Sequence, residues 1–303
     1  MPVNLPQHFP VGKKPGDVIQ LTRDLAEWRA SLAITLAKTP RGARVIHSSH
    51  QGPLYIQKPF YPEGASLAHI YLLHPPGGLV TGDTLHIDLT IESGCGGLFT
   101  TPGAARVYRA RSGSGVQLQN VGLKIAGGGS GEWFPLENII YPGARGKLIT
   151  RIELESGAVF SGWEITCLGL PASGQSFDSG KLQQRFEIYR DGRLSILESL
   201  VLDASNSGFL QGGAGLRGNS VNGLFVSGPF ADESLLGNLL EKLQELSSPR
   251  EPLLATTRME NFLVTRYLGN CAQQARNLFV QCWELVRPVL LARQACLPRI
   301  WST

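Results

Sequence analysis

Thr84-Leu85-His86-Ile87-Asp88-Leu89-Thr90-Ile91-Glu92-Ser93-Gly94-Cys95 is the stretch that decides the fold. Leu85, Ile87, Leu89 and Ile91 recur at period two, and Thr84, His86, Asp88 and Thr90 fill the alternate places. Successive side chains of a strand point to opposite faces, so the pattern predicts a half-buried strand ending in a Ser-Gly turn. The end of the stretch recurs. Ile91-Glu92-Ser93-Gly94-Cys95 is matched by Leu154-Glu155-Ser156-Gly157-Ala158, and Leu123–Trp133 carries a looser version. Each is an alternating strand, a turn, then small residues and an aromatic. Three such units stacked predict a layered β body, either solenoid-like or a sandwich.

The same period appears upstream. Trp28, Ala30, Leu32, Ile34 and Leu36 alternate with Arg29, Ser31, Ala33 and Thr35, which predicts another half-buried strand. Thr39-Pro40-Arg41-Gly42 reads as a turn, with strands expected at Arg44–His50 and Leu54–Lys58. Downstream, Lys181–Arg190 and Arg193–Leu202 flank Asp191-Gly192, the signature of a type I′ hairpin. One strand is expected around Ala255–Thr265. Helical spacing appears only late. Leu235, Leu236, Leu239, Leu240, Leu243 and Leu246 stripe a helix over Asp232–Leu246, acidic at its start and stopped by Ser248-Pro249. Asn270–Leu291 is a second helix carrying Phe279, Trp283 and Val286, which Pro288 is expected to kink or stop. The fold class is therefore mainly β, in stacked or helix-like sheet layers, with two α-helices toward the C-terminus. Residues 1–20, rich in Pro, Gly and Lys, are expected to be a flexible segment, with 21–303 as one β-rich domain.

Composition agrees and narrows the function. Gly makes up 36 of 303 residues and charged residues only 17%, a balance that favours strands and turns over long helices. A net charge of +4 over this length, with no basic run interleaved with aromatics, argues against nucleic acid. Mean hydropathy is near zero at −0.02, and no apolar run reaches the ~18 residues of a membrane span. The stretch Met1–Gln20 shows no apolar core of a signal peptide. Cys95, Cys167, Cys271, Cys282 and Cys296 are five, sparse and without a CxxC pair, so they read as thiols of a reducing cytosol rather than a disulfide framework.

Several motifs bear on chemistry. Gly213-Ala214-Gly215-Leu216-Arg217-Gly218 matches GxGxxG, but it leads into the strand-like Val221–Val226 instead of a helix, so it reads as a glycine loop. Walker A, GxSxG and HExxH are all absent. His86 and Asp88 share a strand face and read as solvated. Cys271 and Cys282, eleven residues apart, read as buried thiols on one helix face with Leu278. The loop His74-Pro75-Pro76-Gly77-Gly78-Leu79-Val80-Thr81-Gly82-Asp83 is stiff and sharply bent, with an imidazole at one end and a carboxylate at the other. A loop so rich in small residues suits close backbone approach to a partner or an ion. Asp83 equally suits the capping of its own turn. Glu132 beside Trp133, Glu137 and Glu164 beside Trp163 are carboxylates in apolar or Gly-rich contexts, where each needs a partner. With Asp83 they would line an oxygen-rich path for a borderline divalent ion such as Ni²⁺, looser than a thiolate site.

Blocks over residues 28 to 303 then resemble one family. They are Gly52-Pro53-Leu54 with Gln57-Lys58-Pro59-Phe60-Tyr61-Pro62-Glu63; Leu72-Leu73-His74 through Asp83; Thr101-Pro102-Gly103-Ala104 with Tyr108-Arg109; Glu132-Trp133-Phe134-Pro135; Gly162-Trp163-Glu164; Cys167-Leu168-Gly169; and Leu297-Pro298-Arg299-Ile300-Trp301. In this order they resemble the UreD (also called UreH) family of urease accessory proteins. The resemblance implies a cytoplasmic scaffold, not an enzyme, that binds apo-urease and recruits UreF, which brings the GTPase UreG. It implies a β-rich stack of strands and delivery of transient Ni²⁺, with no tightly bound cofactor and no membrane. It also implies an internal polar channel, mapped here onto Asp83, Glu137 and Glu164 with His74 beside them. Tyr108, Arg109, Arg299 and Trp301 of the family blocks are partner-contact candidates. Two departures matter: Thr81 stands where the family loop has Gly, and Phe134 and Leu136 replace Leu and Gln. The rival readings are a β-rich module for another partner and a hydrolase or transferase using His74 and Asp83.

Overall fold

In the computed structural model, residues 28–302 are described except 112–114, 249 and 251; the expectation for residues 1–20 lies outside them. The strands of the first half are β1 (Arg29–Thr39), β2 (Gly42–Gln51), β3 (Tyr55–Ile56), β4 (Leu67–Leu73), β5 (Gly78–Leu79), β6 (Thr84–Ile91), β7 (Gly96–Thr100), β8 (Ala105–Val107), β9 (Gln117–Ile125) and β10 (Ser130–Phe134). There follow β11 (Asn138–Ile140), β12 (Ala144–Leu154), β13 (Val159–Leu168), β14 (Gly180–Arg190), β15 (Arg193–Asp203), α1 (Ser207–Gln211), β16 (Val221–Gly228), α2 (Glu233–Glu245), β17 (Leu253–Met259), β18 (Phe262–Gly269) and α3 (Ala272–Leu291).

The opening repeat is the winding unit. Each of β6–β7, β9–β10 and β12–β13 crosses from one sheet to the other through the same turn. Gly94, Gly128 and Gly157 take φ of 64°, 70° and 77°, values L side chains adopt rarely. The amides of Cys95, Gly129 and Ala158 close the turns onto the carbonyls of Glu92, Ala126 and Glu155. Adjacent coils stack in parallel register, Ile91 beside Ile125 and Ile125 beside Leu154. Solenoid-like winding and a two-sheet sandwich are thus both present.

The outer sheet runs β15-β14-β12-β9-β6-β1-β2. The central sheet runs β17-β18-β16-β13-β10-β7-β4-β3, with β5, β8 and β11 as a flap at one end. Leu85, Ile87, Val121, Leu148, Ile152, Phe160 and Phe186 fill the space between the sheets. A second core lies on the far side of the central sheet, where Leu98, Phe134, Trp163, Phe225, Leu236, Phe279 and Trp283 pack under α2 and α3. The central sheet is buried on both faces, and the outer sheet on one.

The Asp191-Gly192 hairpin forms as expected, with both residues at positive φ (46° and 77°) between β14 and β15. α2 begins where the sequence puts it: the Asp232 carboxylate accepts from the amides of Ser234 (2.8 Å) and Leu235 (3.1 Å). Four expectations need correction. Ala255–Thr265 is not one strand: Glu260, at φ 50°, turns the chain between β17 and β18. Leu54–Lys58 contributes only Tyr55–Ile56 as strand. Pro288 neither stops nor ends α3, which continues to Leu291. Pro288 sits in the last turn, where it removes one backbone bond, while buried Phe279, Trp283, Val286 and Arg287 hold the helix down. Cys271 shares no helix face with Cys282: it precedes the helix at the N-cap and is exposed, and Cys282 is buried.

Candidate functional site

The topology gathers the loop motifs at one end of the sandwich, where central-sheet strands end and outer-sheet strands begin. β5 of the His74–Asp83 loop pairs with β8 of the second motif. A Cβ on Gly78 would stand 2.6 Å from the Arg106 carbonyl oxygen and 2.6 Å from the Tyr108 ring. The close backbone approach that the glycines allow is therefore made within the chain. Asp83 is buried, and its Oδ2 accepts the Val80 amide at 2.8 Å, closing the turn by its own side chain. Burial pushes this carboxyl up, with the Val80 bond working against that. His74 has a buried Nε2 with no hydrogen-bond partner among the described residues, and burial pulls its ring down toward the neutral form. Among the described residues no hydrogen bond joins His74 to Asp83.

Glu137 stands apart from both, half-buried, with the Arg276 guanidinium of α3 at 4.0 Å. Its charge adds to burial in pushing the Cys167 thiol up to about 12. Tyr108 packs its ring on Tyr141 at 5.0 Å, and Arg109 and Arg299 are exposed. Trp301 turns inward: its Nε1 donates to Thr100 Oγ1 at 2.9 Å, and its ring lies 5.3 Å from Trp163 and 6.2 Å from Trp283.

Glu164 is the channel candidate that lies between the two sheets. β13 points Phe160, Gly162, Glu164 and Thr166 toward the outer sheet, in an otherwise apolar layer. Thr150 of β12 and Gln184 of β14 meet it from across the gap: Thr150 donates to Oε1, and Gln184 Nε2 donates to Oε2 at 2.7 Å. Thr166 Oγ1 donates to Gln184 Oε1 at 2.9 Å. Burial pushes the Glu164 carboxyl up, against these two donors. A cavity of about 130 Å³ opens here, lined among others by Glu164, Gln184, Glu198, Asn222 and Arg266. At its wall Arg266 donates to Glu198 and, at 3.0 Å, to Thr257 Oγ1.

Glu132 lies on the opposite face of the same sheet, so it lines no passage with Glu164. Register pairs Glu132 with Ser161, placing its side chain under α3. Its Oε1 accepts from Trp283 Nε1 at 2.7 Å and from Arg287 Nε at 3.0 Å. Arg287, fully buried, also donates to both oxygens of Glu63 at 2.7 Å, and His69 Nε2 stands 2.7 Å from Glu63 Oε1. Burial alone would raise Glu63; hydrogen bonds from His69 and Arg287 bring it instead to about 2. The sequence reading missed this network. Its signal was present: a lone His in the apolar run Leu67–Leu73, and an Arg four residues after Trp283 on the buried helix face.

Fold and site together define a helix-backed, two-sheet β scaffold with charged groups sealed inside it. Residues 29–302 match the UreD urease accessory protein family, and the chain belongs to that family. The urease accessory protein UreD of Marinomonas sp. (strain MWYL1) is 42% identical over 283 residues, covering 92% of this chain and 91% of its own. Those of Alcanivorax borkumensis (40%, covering 91% and 92%) and Psychromonas ingrahamii (39%, covering 91% and 94%) are similar. No described helix is long and apolar enough to cross a membrane.

Proposed function

We propose that this chain is a non-catalytic cytoplasmic scaffold of urease maturation. It binds apo-urease and recruits UreF, which brings the GTPase UreG, so that Ni²⁺ reaches the urease active site. Family membership supports the maturation role, and the lack of a Walker A sequence fits a nucleotide step carried by a partner. The observation that carries the nickel reading is Glu164. A carboxylate beside a cavity, held among the described residues by neutral donors and no cation, is an oxygen ligand in waiting for a divalent ion. Asp83 is committed to its turn and Glu137 faces Arg276, so the structure favours Glu164 over both as the interior station.

The test is co-expression with the cognate UreF, UreG and urease subunits, reading nickel-dependent urease activity. Glu164→Gln keeps the size and one acceptor oxygen, so assembly should persist while activation falls severalfold. Full activation by this variant, with the complex intact, would remove the nickel role of this cavity. Full activation without the chain would remove the scaffold reading altogether.

A further inference from the structure

The network under α3 holds more ligand atoms than its ion pairs use. Glu63, His69 and Cys296 each bring one metal-ligating atom within 4.8 Å of the other two. They arrive from three separate places: the loop before β4, β4 itself, and the tail after α3. His69 is fully buried, and its Nδ1 has no hydrogen-bond partner among the described residues, so one nitrogen of the ring is uncommitted there. We infer that Glu63, His69 and Cys296 form a binding site for a borderline divalent cation of the Ni²⁺, Co²⁺ and Zn²⁺ group.

The donor set selects that class. One carboxylate oxygen, one imidazole nitrogen and one thiolate sulfur suit borderline ions, whereas Mg²⁺ and Ca²⁺ demand oxygen throughout. A dication with one carboxylate and one thiolate is neutral, Arg287 is balanced by Glu132 at 2.9 Å, and the charge left over is that of Arg293, 4.0 Å from Glu63 and partly exposed to solvent. Binding releases the Cys296 thiol proton to solvent; His69 Nε2 carries the ring proton toward Glu63, so an ion taken at Nε2 replaces that hydrogen bond and the proton moves to Nδ1.

The surroundings orient the ligands. Arg287 holds both oxygens of Glu63, which aims the carboxylate as an outer-shell partner does in metal sites. Arg293 donates to the Glu63 carbonyl and to Ser66 Oγ, tying the tail that carries Cys296 to the same loop. Glu63 and Cys296 are partly exposed, so water can complete the shell. The two nearby guanidinium groups weaken the hold on a dication. A single thiolate also binds less tightly than four, and together these suit an ion that is passed on. The site lies on the opposite face of the central sheet from Glu164 and does not rest on the Glu164 reading.

The test is titration of the purified full-length chain with Co²⁺ and with Ni²⁺, following the thiolate-to-metal charge-transfer absorbance. The wild type should develop a near-ultraviolet band that saturates at one equivalent. Cys296→Ser, a one-atom change at a partly exposed position, should abolish it with the circular dichroism spectrum unchanged. His69→Gln should weaken binding roughly tenfold or more, and Asp88→Asn, a solvated change on the outer sheet, should leave the band as it is. No band in the wild type, or a band of full strength in Cys296→Ser, would overturn the assignment.

Discussion

The two sheets are wound from the same three coils, yet their sequences look unlike each other. β6 and β12 of the outer sheet alternate strictly, with Leu85, Ile87, Leu148 and Ile152 inside and His86, Asp88, Lys147 and Arg151 outside. β4, β7 and β16 of the central sheet are nearly continuous apolar runs. One coil supplies both patterns because its first strand has water on one face and its second has none. The difference teaches where polar groups carry meaning. A Lys or Asp on the outer sheet is solvated and unremarked. A His or Glu on the central sheet must be satisfied by a partner, and those partners turn out to be the chemistry of the molecule.

The sharpest way to break this comparison is Arg287→Ala. It would strand Glu63 and Glu132 without their shared cation, so unfolding stability should fall by about 3–5 kcal/mol in denaturant titrations. A loss below about 1 kcal/mol would mean that the network is not a structural hub. Next comes a matched pair. Ile165, fully buried under α3, should cost about 2–5 kcal/mol on truncation to Ala, and Ile149, on the outer face of β12, well under about 1 kcal/mol. Equal costs would contradict the assignment of faces. A smaller effect isolates the coil turn. A Cβ on Gly128 meets nothing within 4 Å among the described residues, so Gly128→Ala should cost about 1 kcal/mol from φ alone. Gly103, equally uncrowded and without positive φ, should tolerate Ala at little or no cost.

Glu63 adds a pH dependence. Its carboxyl is lowered from 4.5 to about 2 in the folded chain, so the unfolded chain binds the proton first as pH falls. The stability it contributes is full above 4.5 and is lost as pH drops toward 2. The slope of unfolding free energy across that window should flatten in Glu63→Gln; an unchanged slope would assign it to other groups.

The coil was legible because its signal is local. Period two, the Ser-Gly turn and the spacing of the repeats are all written within a dozen residues of one another. So were the Asp191-Gly192 hairpin and the capped start of α2. The errors also have local causes. Glu260-Asn261 carries no Gly or Pro, so the turn that splits β17 from β18 went unseen. Pro288 obeys its rule against helices only where packing does not override it. The candidate site was legible in part. Glu164 was found as a residue but not as one facing a cavity, and of the two roles open to Asp83 the structure has the capping of its own turn.

By itself, then, the sequence determined the alternating strands, the coil turns, the two long helices and the family. Each of these follows from backbone preference and side-chain periodicity over short range, or from ordered motifs along the chain. Only the tertiary structure decided which carboxylates meet. Glu132 and Glu164 both stand next to a Trp, yet strand parity and register send one beneath α3 and the other between the sheets. Glu63, His69, Arg287 and Cys296 are up to 233 positions apart, from 63 to 296, and converge because the C-terminal helix and tail lie back across the central sheet. No local preference encodes that convergence. It comes from burying the apolar face of α3, and the charged groups on that face meet their partners in the same step.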